Sequence, residues 1–99
     1  MDVHVTRREE RFVWDSEKAT ANFAKHGVTF DEAIDVFFDA LYRLVDASVS
    51  GERREAAIGL SAGKRLLFAV NIEVENETTR IIPARLANAR EMRDYEELA

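Results

Sequence analysis

Residues 65–74 read RLLFAVNIEV, and the two-residue period inside this stretch decides the fold class. Leu66, Phe68, Val70, Ile72 and Val74 fall on one side of an extended chain, and Ala69, Asn71 and Glu73 on the other. That alternation predicts a strand in a sheet that helices cover on one face only. Working outward, Ser61, Ala62, Gly63 and Lys64 predict a hairpin before it, and Glu75, Asn76 and Glu77 another after it. Residues 41–46, 55–60 and 78–84 read as three more strands, with a turn at Gly51. The second half of the chain is therefore expected to be an antiparallel meander.

Upstream of residue 41 the period is helical. Residues 11–14 are β-branched or aromatic after the first, and predict a short strand leading into Asp15 and Ser16, either of which can cap a helix over 16–26. Gly27 stands where a left-handed residue ends a helix, and Thr29 with Glu32 three residues on predicts a capping box. In the second helix Phe30, Ala33, Ile34, Phe37 and Phe38 recur at core spacing. Asp31, Glu32, Asp35 and Asp39 fall on the remaining surface, an acidic side suited to a basic protein partner. Residues 86–98 predict a terminal helix with Ala89, Met92, Tyr95 and Leu98 near one face. A strand, two helices, a meander and a last helix make an α+β domain.

Length and composition narrow the function classes. Ninety-nine residues, 46% apolar and 33% charged, suit one domain with a modest core. Residues 1–10, polar and mixed in charge, are expected to be an N-terminal extension to a single domain over 11–99. The absence of cysteine excludes disulfides and thiolate zinc sites, and two histidines argue against a histidine-rich metal centre, so no metal or cofactor is expected. No run of about 18 apolar residues is present and the start does not look like a signal peptide, so a cytoplasmic protein without membrane contact is expected.

Two blocks carry a resemblance. Residues 12–33 hold Trp14, Asp15, Lys18, Ala19, Asn22, Lys25, His26, Gly27, Val28, Phe30, Asp31, Glu32 and Ala33 in order. Residues 80–96 read R-I-I-P-A-R-x-A-x-x-x-E-x-x-x-Y-E, after an E-x-R at Glu52 and Arg54 and the pair Ile58 and Gly59. In these elements the chain resembles the BrnT family, toxins of type II toxin-antitoxin pairs with a RelE-like fold. The resemblance implies a ribonuclease that inhibits translation and growth. It also implies an antitoxin partner, expected to be a BrnA-like ribbon-helix-helix protein through which alone the toxin meets DNA. A stand-alone DNA-binding protein is disfavoured, because no helix carries a basic recognition face.

Cleaving RNA without a metal requires a proton removed from the ribose 2′-hydroxyl, a proton given to the leaving 5′-oxygen, and cations around the phosphate. The candidate catalytic residues are Arg80, Arg85, Tyr95, Glu52, Arg54 and His26, and the candidate RNA contacts are Lys18, Lys25, Lys64 and Arg65. Each has a structural alternative. His26 precedes a helix-ending glycine, where an imidazolium also caps carbonyls. Lys18, Asn22 and Lys25 share a helix face that is either solvated or an RNA surface. Arg80 and Arg85 either contact phosphate or pair with Glu52 or Glu91, and Tyr95 either docks on the core or acts as an acid. Lys64 and Arg65 are turn residues or RNA contacts beside the meander's open face.

The chain departs from the family in charge. Members commonly carry an arginine in the hairpin where this chain has Glu73, Glu75 and Glu77, and often serine at the position of Pro83. With a net charge of −5, the acidic hairpin is expected to weaken RNA approach, so that Glu75→Arg raises cleavage. A catalytically weakened interaction subunit is the alternative reading.

Overall fold

The computed structural model describes residues 1–98, without the side chain of Leu98. In chain order the elements are β1 (Asp2–Arg7), β2 (Glu10–Asp15), α1 (Ser16–His26), α2 (Phe30–Ile34) continued by a 3-10 turn (Asp35–Phe38), β3 (Arg43–Asp46), β4 (Glu55–Leu60), β5 (Leu66–Val74), β6 (Thr78–Leu86) and α3 (Ala89–Leu98). The strands form one six-stranded sheet in the order β1-β2-β6-β5-β4-β3. The expected α+β plan and antiparallel meander are borne out. Two features were not foreseen. Residues 1–10, set apart as an extension, fold as β1 and its turn, antiparallel to β2, and β2 joins the meander by running parallel to β6.

The helix boundaries follow the local chemistry. The Asp15 carboxylate accepts from the Lys18 N–H at 3.0 Å, capping α1. Gly27 ends α1 at φ 68°, its N–H donating to the Phe23 carbonyl at 2.8 Å. Thr29 caps α2 through the Glu32 N–H at 3.0 Å. The returning half of the box is diverted, because the Glu32 carboxylate accepts from Ser61 Oγ at 2.8 Å and from the Arg65 guanidinium. At α3, Asn88 and Glu91 make the reciprocal box, each accepting from the other's N–H at 2.9 Å.

The core lies between α1, α2 and one face of the sheet. Phe12, Trp14, Val28, Phe30, Ala33, Ile34, Val36, Ala57, Leu67, Ala69, Ile81 and Ala84 form a single buried cluster, with Val3 and Val5 of β1 packed on it. On β5 the helix-covered side is thus Leu67, Ala69 and buried Asn71, while the apolar row from Leu66 to Val74 is only half-buried on the opposite face. The expectation from alternation is corrected here. Small Ala57, Gly59 and Ala69 let the helix layer approach closely, and a Cβ on Gly59 would stand 3.0 Å from Val36 Cγ1. α3 packs against β4, and Ile58, whose register sets it on the face away from α1 and α2, is buried outside the main cluster.

The acidic side of α2 is partly tied into the fold. Arg7 of β1 donates to Asp31 at 2.9 Å and to Asp35 at 3.2 Å. Asp35 also accepts from the Ala62 N–H, and Asp39 from the Leu60 N–H at 2.8 Å, which β3 leaves open. Asp35 and Asp39 thus help close the edge of the fold, while Asp31 stays largely exposed beside Arg7.

Candidate functional site

Strand register assigns side chains to faces. His4 pairs with Val13, Val13 with Arg80, and Arg80 with Ile72, so these four make one row across β1, β2, β6 and β5 on the face away from α1 and α2. Arg54, one residue before the Glu55–Asn71 pair, extends the row, and it borders a cavity together with Ile72. Thr6, Arg11, Thr78 and Val74 make the next row.

Between these rows lies an open cavity of about 680 Å³ lined by His4, Arg11, Val13, Val74, Glu75, Asn76, Thr78 and Arg80. Its apolar floor and convergent charged rim suit a polyanion with planar bases. Arg80 forms a bidentate pair with Asp2, at 3.2 and 2.9 Å. The hydrogen bond from Arg80 holds the Asp2 carboxyl below its usual range. The Arg11 guanidinium donates to the Asn76 carbonyl in the β5–β6 turn. Of the three hairpin acids only Glu75 borders the cavity, whereas Glu73 pairs with Thr79 on the helix-covered face.

The ten residues anticipated from sequence divide into three groups. Arg80 and Arg54 share the open face, with Glu52 paired to Arg54 at 3.1 Å. The second group sits with α3. Arg85 lies on the same face further along β6, over the Phe68 ring at 4.2 Å and bidentate to Glu91 at 2.7 and 2.9 Å. Tyr95 is buried and donates to Asp39 at 2.6 Å, and burial followed by that hydrogen bond pushes its phenol up to about 12. The third group is remote from the cavity. Lys18, Lys25 and His26 lie on α1, which packs on the opposite side of the sheet, and Lys64 lies in the β4–β5 turn. Arg65 turns toward the helices, donating to Glu32 and to the Gly27 carbonyl at 3.0 Å. It does not face the open side of the meander.

Three residues that matter to this face were not singled out in the sequence: His4, Arg11 and Asp2. A period-two signal was present, since Val3 and Val5 alternate with His4 and Thr6, but the charged run 7–10 masked the hairpin.

A family model described as the ribonuclease toxin BrnT of type II toxin-antitoxin systems matches residues 14–91. The chain belongs to the BrnT family. Its architecture agrees with the 1.1 Å crystal structure of the Brucella abortus ribonuclease toxin BrnT, with a TM-score of 0.62 and 27% identity over 76% of this chain and 92% of that one. No curated protein matches the chain at a significant level. BrnT membership makes it a ribonuclease toxin whose counterpart is an antitoxin. Glu52, Arg54, Arg80 and Arg85 lie inside the matched segment, whereas His4, Arg11 and Tyr95 lie outside it. Among the described residues, no helix is long and apolar enough to cross a membrane.

Proposed function

We propose that this chain is a metal-independent endoribonuclease that cuts RNA through attack by the ribose 2′-hydroxyl, and so arrests translation and growth in the cytoplasm. The observation that carries the reading is the cationic cavity on the open sheet face, with Arg80 and Arg11 at its rim, in a chain of a ribonuclease toxin family. Guanidinium groups bind phosphate in a bidentate manner and stabilise the charge that builds on it during transfer. Arg80 contacts the scissile phosphate, and Arg54 with Glu52 guides the strand two sheet positions away. Arg85 and Tyr95 position α3, and Lys18, Lys25, His26 and Lys64 have no part in the chemical step. The antitoxin is a BrnA-like ribbon-helix-helix protein that binds the toxin and supplies its only link to DNA.

The test is induction of the chain with and without its antitoxin, followed by cleavage of RNA by the purified protein in EDTA. Arrest without antitoxin and chelator-resistant cleavage, both lost in Arg80→Ala, are expected. The alternative, a weakened interaction subunit, draws support from the carboxylates that already neutralise Arg80 and Arg85. It predicts tight antitoxin binding with neither arrest nor cleavage.

A further inference from the structure

We propose that Arg54 is a second phosphate subsite of the Arg80 face, holding the phosphodiester next to the one that is cut. It makes single-stranded RNA of three or more nucleotides the preferred substrate, which deepens the ribonuclease reading and rests on it. The register sets both arginines in one row. Arg80 pairs with Ile72, and Ile72 falls opposite Arg54, one residue beyond the Glu55–Asn71 pair, so the three share the face away from α1 and α2. Neighbouring strands lie about 4.8 Å apart, which puts the two arginine positions roughly 10 Å from each other across β5. Two long side chains close much of that interval for neighbouring phosphates of an extended strand, and half-buried Ile72 between them supports the ribose or base.

The occupancy of the guanidinium groups sets Arg54 apart. Both Nη atoms of Arg80 are taken by Asp2, and both of Arg85 by Glu91. Arg54 donates from Nη2 to one oxygen of Glu52 at 3.1 Å, and its buried Nε has no partner among the described residues. The Glu52 side chain is 56% exposed, and a one-oxygen contact so open to water contributes little. A phosphate offers two oxygens side by side to the planar fork and displaces it readily. A buried N–H without a partner is costly, so the head gains when phosphate draws it into a paired position.

The backbone that carries Arg54 is ordered beforehand. Its N–H donates to Ser48 Oγ at 3.2 Å, and its carbonyl accepts from the Ala47 N–H at 3.0 Å. Val49 and Glu52 exchange both hydrogen bonds across a tight turn whose central residues, Ser50 and Gly51, are left-handed at φ 47° and 79°. Only the guanidinium head and the Glu52 side chain need to move when RNA binds.

The experiment measures kcat and KM for substrates with a single ribose, and so a single cleavable linkage. They are a dinucleotide, a trinucleotide with a second phosphodiester, and the same trinucleotide with an uncharged methylphosphonate at that second linkage. The second linkage lies 5′ of the cut in one series and 3′ in the other. In one of the two series the parent is expected to show a KM about 10-fold lower for the charged trinucleotide than for the other two substrates, at similar kcat. A contact made equally in ground and transition states acts on KM. In Arg54→Ala the substrates converge on one KM, and Arg54→Lys, a point charge without the fork, regains part of the difference. Glu52→Gln removes the competing charge and widens the difference several-fold at low salt.

One KM for all substrates of a parent that cleaves them, in both series, would overturn the subsite and leave the ribonuclease reading intact. So would an Arg54→Ala variant that keeps the parent's preference for the charged linkage. A parent that cleaves none of them would overturn the ribonuclease reading and the subsite with it. The comparison of charged with uncharged linkage in the parent needs no substitution, so it decides even where Arg54→Ala does not fold.

Discussion

The side-chain amide of Asn22 holds both backbone groups of Ala84, accepting from its N–H at 3.1 Å and donating to its carbonyl at 2.8 Å. β2 pairs with β6 only as far as Val13 and Arg80, so beyond that point the edge of β6 is open and the Asn22 amide takes the place of the missing strand. The same Nδ2 donates to the Val28 carbonyl at 3.0 Å, tying α1, the loop after it and β6 together. Asn22→Ala leaves buried backbone groups unpaired, each costing about 1–3 kcal/mol. An expected loss of about 3 kcal/mol is read from the urea midpoint. A midpoint equal to the parent's would show that water replaces the amide at no cost.

Gly27 is a smaller and cleaner case. A Cβ there meets nothing within 4 Å, so substitution acts only through the positive φ. Gly27→Ala is expected to cost about 1 kcal/mol and Gly27→Asn less, because asparagine tolerates the left-handed region. Equal destabilisation by both variants in chemical unfolding would contradict this.

Tyr95 and Asp39 give the fold a pH signature. Burial acts to raise the Asp39 carboxyl, but hydrogen bonds from Leu60, Tyr95 and Leu41 outweigh it and hold the group below 3.8. Its contribution is therefore present above the unfolded value and is lost as pH falls through the lowered one. The Tyr95 phenol, pushed up to about 12, contributes fully below about 10, the value for an unperturbed tyrosine, and is lost as pH rises through 12. In a Tyr42→Phe background the remaining phenolate absorbance is expected to rise near pH 12, and Tyr95→Phe should keep RNA cleavage. Titration near pH 10, or loss of cleavage in Tyr95→Phe with the fold intact, would return Tyr95 to the chemical step.

Much of this architecture was legible because it is local. Asp15, Gly27 and Thr29 act within one turn of the chain, and the alternation around Leu66–Val74 needs only neighbours. What was hidden depends on distant partners. Glu32 leaves its own cap for Arg65, Asn22 leaves the solvated face of α1 for Ala84, and Arg80 finds Asp2 from a segment read as an extension. Pro83 sits at the bulge where β6 gains a residue between the Asn71–Ile81 and Ala69–Ala84 pairs, a place suited to a residue without an N–H. The open face was hard to assign because the side of β5 richer in large apolar residues is not the one that α1 and α2 cover, and α3 covers only the part of it near β4.

Asp2 occupies the Arg80 guanidinium that the proposed site offers to phosphate. Asp2→Asn frees the guanidinium and removes a negative charge from the cavity rim. RNA affinity is expected to rise several-fold at low salt, with a steeper fall as salt increases, because another cation engages the phosphates. Unchanged binding curves across the salt series would show that Arg80 does not meet the RNA.

The central claim is that the open face around Arg80, rather than the helix layer, cuts RNA. Its most direct test is the cleavage rate in EDTA of Arg80→Ala beside a Lys18→Ala, Lys25→Ala double variant, which removes two exposed cations from α1. The account predicts a fall of at least about 100-fold for Arg80→Ala, as for loss of a donor that stabilises transition-state charge, and a rate near the parent's for the double variant. Full cleavage by Arg80→Ala, with activity lost from the α1 variant, would place the site on the other side of the sheet.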